Sequence, residues 1–172
     1  MVHEAQGLDA YFLPPKIALP SLEISGGLRV AGAADMPLVR EWIEDFYKET
    51  LHTKPPDTFS REDELTARQT DTDARIPEHP LLFVWGDGAS VAMGMLAPSE
   101  KSSRINLIYV APEFRGRGYG RAVVAALSQK ARESGRVPIL YASRGNTAAI
   151  RLYKSLGFTR LKNGGKNEDN PA

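Results

Sequence analysis

From Val110 to Arg121 the chain reads Val-Ala-Pro-Glu-Phe-Arg-Gly-Arg-Gly-Tyr-Gly-Arg, with glycines at 116, 118 and 120 interleaved with Arg115, Arg117, Tyr119 and Arg121. Glycines at alternate positions allow a tight turn whose successive amides converge on one point. An apolar run, Ile105 to Val110, precedes this turn, and an amphipathic stretch follows it. The amides therefore stand at a helix N-terminus, where the dipole favours an anion, most often a phosphate. The three arginines add fixed positive charge. Two familiar phosphate loops do not fit. Arg121 stands where a dinucleotide loop needs its third glycine, and no acidic residue lies between Glu133 and Glu168 to meet a ribose. A Walker loop needs Gly-Lys-Ser/Thr, whereas Gly120 is followed by Arg121-Ala122.

A second candidate is Tyr153, on a helix opened by Asn146 and stopped at Gly157. A phenol is uncharged at neutral pH and can supply a proton. Tyr153 also shares a stripe with Ile150 and Leu156, where a tyrosine can equally be plain core. His3, His52 and His79 are scattered and cysteine is absent, so the sequence offers no metal site, disulfide or thiol nucleophile.

The elements that must position these residues follow from periodicity and punctuation. Residues 1–27, with Pro14-Pro15, Pro20 and Gly26-Gly27, read as a lead-in or linker outside the domain. Leu28 to Ala31 predicts a strand. Asp35 is the expected N-cap of a helix carrying Pro37 in its first turn and Val39, Trp42, Ile43 and Phe46 on one face. Pro55-Pro56 forces a loop, and a polar helix is expected over about 60–72. Leu81–Trp85 and Ser90–Leu96 flank Gly86-Asp87-Gly88 as a hairpin. Ile105–Val110, a helix over 118–134, Val137–Ala142, the Asn146 helix and a last strand from Phe158 to Leu161 complete the order. The fold class expected is α/β (α+β): a mixed, largely antiparallel sheet of six to seven strands with about four helices. The domain is expected to span 28–162, with a polar tail over 163–172.

The 172 residues suit a single core, and no apolar run approaches the length of a membrane span. The N-terminus lacks the pattern of a secretory signal, which together with the missing cysteines suggests a cytoplasmic protein. The net charge of +1 conceals an asymmetry: residues 1–100 sum to −9 and residues 101–172 to +10. Basic residues on that scale can meet phosphates or RNA, but the acidic half argues against a general nucleic-acid surface.

The loop meets the pattern Arg/Gln-x-x-Gly-x-Gly/Ala through Arg115, Gly118 and Gly120. Asn146-Thr-Ala-Ala-Ile-Arg-Leu-Tyr153-Lys-Ser-Leu-Gly157-Phe158 meets a second pattern downstream. With both signatures in order, the sequence resembles the GNAT superfamily of acetyl-CoA-dependent N-acetyltransferases. The likeness is strong over 105–158, and rests on element order alone from 28 to 104. It implies acetyl-CoA as co-substrate, with no metal, and a direct transfer of the acyl group to a small amine or peptide acceptor. It also implies that the strands on either side of the loop splay apart. The amides from Arg115 through Gly116, Arg117, Gly118, Tyr119 and Gly120, with Arg121 beside them, would hold the pyrophosphate. Ile108, Tyr109 and Val110 would bond the pantetheine arm, Asn146 would stand near it, and Tyr153 would be the general acid at sulfur. Relatives often carry a glutamate on the strand before the loop; here Ser103 to Ile108 holds no carboxylate, and no base is assigned.

Three expectations remain. A cationic acceptor could be drawn to Glu41, Glu44, Asp45 and Glu49, with walls from 52–59 and 71–80. A non-catalytic acyl-CoA sensor is the alternative function. After Leu161 little remains to make a further strand, so a second copy of the chain could complete the sheet as a homodimer. No nucleic-acid or membrane partner is expected.

Overall fold

A computed structural model describes residues 7–55 and 80–162. Seven strands form one sheet: β1 Leu8–Phe12, β2 Gly27–Val30, β3 Leu81–Asp87, β4 Ala89–Pro98, β5 Ser102–Val110, β6 Val137–Ser143 and β7 Thr159–Arg160. Their order is β2-β3-β4-β5-β6-β1-β7, antiparallel throughout except between β5 and β6. The helices are α1 Met36–Phe46, extended by a π-helical turn Tyr47–Leu51, then α2 Tyr119–Glu133 and α3 Thr147–Ser155. The helix expected over 60–72 lies outside the described residues. No described helix is long and apolar enough to cross a membrane.

Two apolar layers hold the sheet. Along β3, Phe83 and Trp85 join the cluster under α2, while Leu82 and Val84 join the cluster under α1. Such a strand is buried on both faces, so its sequence runs apolar without alternation. α2 turns Ala122, Val123, Leu127 and Ala131 inward, the face the periodicity predicts. α1 buries Met36, Val39, Trp42 and Ile43.

Asp35 stands at the N-cap position of α1, as expected, but its side chain is used elsewhere. Its side chain makes no cap bond. Its carboxylate accepts from both Arg29 nitrogens at 2.8 and 2.9 Å and from the Gly32 amide at 2.7 Å. The Arg29 hydrogen bonds hold it below the usual carboxylate range.

Residues 7–27 also differ from the expectation of a lead-in outside the fold. β1 lies between β6 and β7, pairing Leu8 with Ser143, Phe12 with Ile139 and Tyr11 with Arg160. Tyr11 and Leu13 are core residues. β7 is thus paired within the same chain, and no second copy is needed to give it a neighbour.

Candidate active site

The site begins where two parallel strands part. β5 and β6 pair only at Ser102, Ser103 and Arg104, opposite Val137, Pro138 and Ile139. Beyond Arg104 that ladder stops: β6 keeps β1 on its other edge, and β5 runs on with an open edge. The register of β4 and β5 shifts between Met93 and Met95, where Leu107 takes φ 54°. Such a bulge bends the strand and re-aims its side chains. The Asn106 side chain supports it, its Oδ1 accepting from the Leu107 amide at 2.8 Å. As a result Ile105 and Ile108, three residues apart, both face the α2 cluster, while Leu107 and Tyr109 face α1.

Two cavities meet at the split, sharing Ile108, Val110, Gly120, Ala149 and Leu152 on their walls. The larger, about 630 Å³, runs along the glycine loop. Gly116 and Gly118 have φ 79° and 92°, left-handed values that favour glycine. Ala122 is the first amide of α2 with a backbone partner, Gly118 O at 3.0 Å. Among the described residues, the amides from Gly116 to Arg121 are paired with no acceptor. A row of free donors at the start of a four-turn helix suits an anion with several oxygens.

The arginines of the loop divide their work. Arg115 donates from Nε to Val110 O at 2.8 Å and from Nη2 to Glu49 Oε1 at 3.1 Å, with its guanidinium 5.1 Å from the Tyr109 ring. Arg121 donates to Ser155 Oγ at 3.0 Å and ties α2 to the end of α3. Arg117 lies over Phe114. Arg115 and Arg121 thus brace the cleft walls as well as lending charge.

Glu49 was legible only as one of several acidic residues on a helix face. The π-helical turn brings it to the cleft, where its second oxygen accepts from Tyr109 Oη at 3.3 Å. Burial and the nearby Glu49 charge push the Tyr109 phenol up to about 12. Glu41, Glu44 and Asp45 line neither cavity.

The smaller cavity, about 350 Å³, holds Tyr153 and Asn146. Asn146 Oδ1 accepts from the Ala149 amide at 3.2 Å, the N-cap expected of it. Gly157 ends the helix region at φ 104°, where a Cβ would meet Ile17 Cγ2. Tyr153 packs against the rings of Tyr11 and Phe158, with centroids 6.5 and 6.2 Å away. Burial pushes its phenol up to about 12, so it stays protonated across the physiological range. The structure therefore brings the residues singled out for the cofactor, and Tyr153, to the two cavities or the loop between them, but of the acidic residues singled out for the acceptor only Glu49. The segments expected as acceptor walls lie largely outside the described residues.

The family model for acetyltransferases of the GNAT family matches residues 36–158, and the chain belongs to this family. The L-methionine sulfoximine/L-methionine sulfone acetyltransferase of Pseudomonas paraeruginosa is 30% identical over 146 residues, 78% of this chain and 81% of that enzyme. The mycothiol acetyltransferase of Thermobispora bispora is 47% identical over 57 residues, 33% of this chain, so the match spans only 19% of that enzyme's length. Among solved structures, yncA of Salmonella typhimurium with its cofactor acetyl-CoA superposes with a TM-score of 0.63 at 23% identity, covering 79% of this chain and 80% of that one. That likeness concerns the fold.

Proposed function

We propose that the protein transfers an acetyl group from acetyl-CoA to an amine. The observation that carries this reading is the run of unpaired amides from Gly116 to Arg121, opening onto a split between β5 and β6. The amides and Arg117 fit the pyrophosphate, and the open edge of β5 from Ile108 to Val110 fits the amide-bearing pantetheine arm. Tyr153 and the acceptor cavity lie on the far side of the split.

Acetyl-CoA supplies the thioester carbonyl. The amine nitrogen bonds to it, the carbon–sulfur bond breaks, and the proton the nitrogen loses is the one the thiolate finally gains through water. With Tyr153 at about 12 and an alkyl thiol near ~8.5, outright transfer from phenol to thiolate is uphill by about 5 kcal/mol. Tyr153 therefore stabilises the departing sulfur by donating a hydrogen bond, which requires a phenol that stays neutral. Glu49 has both oxygens engaged by Tyr109 and Arg115, and acts as a strut. No Asp or Glu lines the acceptor cavity among the described residues, so the amine enters as its free base.

A thiol-release assay with acetyl-CoA over a panel of primary amines tests the reading. Release that depends on an acceptor and falls in Tyr153→Phe is expected; acetyl-CoA turnover with no amine in the panel would refute it.

A further inference from the structure

The acceptor cavity has an unusual lining. Among the described residues, Arg104 is the one charged side chain on its wall. It is the last β5 residue paired with β6, opposite Ile139, so it stands at the crotch of the split. Its guanidinium lies over the Tyr141 ring, 4.8 Å from the centroid. Stacking of this kind pre-organises the guanidinium fork. Among the described residues no carboxylate is paired with it; the ion pairs there use Arg29, Arg115, Arg144 and Arg160.

Arg104 is out of reach of the phosphate loop. Six residues of strand separate it from Val110, roughly 20 Å at the usual rise. The chain thus carries two separate places for anions, one at each end of the open part of β5. The apolar lining points the same way. Of the five large apolar side chains left exposed among the described residues, Leu8, Leu51 and Tyr141 line this one cavity. Exposed apolar surface gathered in a small concave site around a single charge is the pattern of a small-molecule subsite.

We propose that the acceptor is an amine bearing its own carboxylate, an amino acid with an apolar side chain. Its carboxylate sits on Arg104, its side chain lies against Leu8, Leu51 and Tyr141, and its amine points to the split beside Ile108. A guanidinium matches a carboxylate through two parallel hydrogen bonds, and so fixes the orientation of a small acceptor as well as its charge. An acceptor with only positive charges would meet Arg104 with repulsion. The proposal rests on the acetyl-transfer reading and names its substrate class.

The test uses the full chain with acetyl-CoA, and thiol release is followed with the neutral L-amino acids, their carboxamides and the corresponding decarboxylated amines. At least one apolar amino acid is expected to turn over, with kcat/KM for its amide and its decarboxylated amine lower by about ten- to a hundredfold. Arg104→Gln should raise the KM for the amino acid by a similar factor, leave the KM for acetyl-CoA within about twofold, and erase the preference for acid over amide. Arg104→Lys should restore part of that preference, because the charge returns without the fork. A purely structural arginine would not alter acid-over-amide discrimination. Transfer that favours amides or purely cationic amines overturns the proposal, as does an unchanged amino-acid KM in Arg104→Gln. Absence of thiol release with every amine overturns the acetyl-transfer reading itself, and the proposal with it.

Discussion

Replacing two glycines of the same loop by alanine should have unlike effects on stability. Gly118 caps α2 at φ 92° and ψ 4°, and a Cβ there meets nothing closer than Ile24 Cδ1 at 3.5 Å. The cost of Gly118→Ala is therefore backbone strain alone, about 1–2 kcal/mol. For a chain of this size that lowers Tm by about 2–8 °C. Gly120 lies inside α2 with no left-handed φ, and its Cβ would sit 3.6 Å from Leu152 Cδ1 and from Val110 Cγ2, an ordinary contact. Gly120→Ala should leave Tm unchanged, or raise it by up to about 4 °C through helix propensity, worth up to ~1 kcal/mol. Those same neighbours line both cavities, so the new methyl narrows the passage between them. Both contacts are still of ordinary length and the pattern the loop meets admits alanine at this position, so acetyl-CoA affinity should stay within about threefold of the wild type. Scanning calorimetry and a binding titration on both variants check this. A Gly120→Ala variant that melts early, or that binds acetyl-CoA more than about tenfold more weakly, would refute the placement of residue 120 as an ordinary first-turn position of α2.

Further outcomes follow from the same structure. Tyr153→Phe should lower kcat by about a hundredfold or more while acetyl-CoA affinity stays within about twofold; an unchanged kcat would assign Tyr153 to the core alone. The Tyr153 and Tyr109 phenols are raised to about 12 in the fold against ~10 unfolded, so the stability they contribute is complete below pH 10. It should be lost as pH climbs from about 10 to 12, so denaturant midpoints should fall across that window, and fall less steeply in either single Tyr→Phe variant than in the parent. With no carboxylate on the acceptor cavity among the described residues, the rising limb of kcat/KM should follow the pKa of the acceptor amine, and an enzyme-fixed limb that ignores the choice of acceptor would contradict this. Leu13 is fully buried beside β1, so Leu13→Ala should cost about 2–5 kcal/mol; a cost below ~1 would show that the N-terminal strand is dispensable.

The half of the molecule that carries the glycine loop and Tyr153 was legible because its signals are local. Glycine spacing, an asparagine cap and a short helix closed by Gly157 can each be read within a dozen residues. β1 was not legible. Leu8 to Phe12 is five residues long, sits among prolines and glycines, and pairs with residues more than 120 positions away. Nothing in its own pattern distinguishes it from an extended linker, and the long-range pairing decides. The same holds for Glu49, whose partners Tyr109 and Arg115 lie 60 and 66 positions on. The bulge at Leu107 left no mark that periodicity could detect, yet it sets which face of β5 meets the cleft. Arg104 looked like one basic residue among many until the parting of β5 and β6 placed it at the head of a cavity.

The most direct test of the account is a calorimetric titration of acetyl-CoA into the wild-type protein and into Gly118→Glu, with folding of both confirmed by circular dichroism. The account predicts saturable binding at one site in the wild type and its loss in the variant, where a carboxylate would occupy the cradle of amides. No binding to the wild type, or equal binding to both proteins, would contradict it.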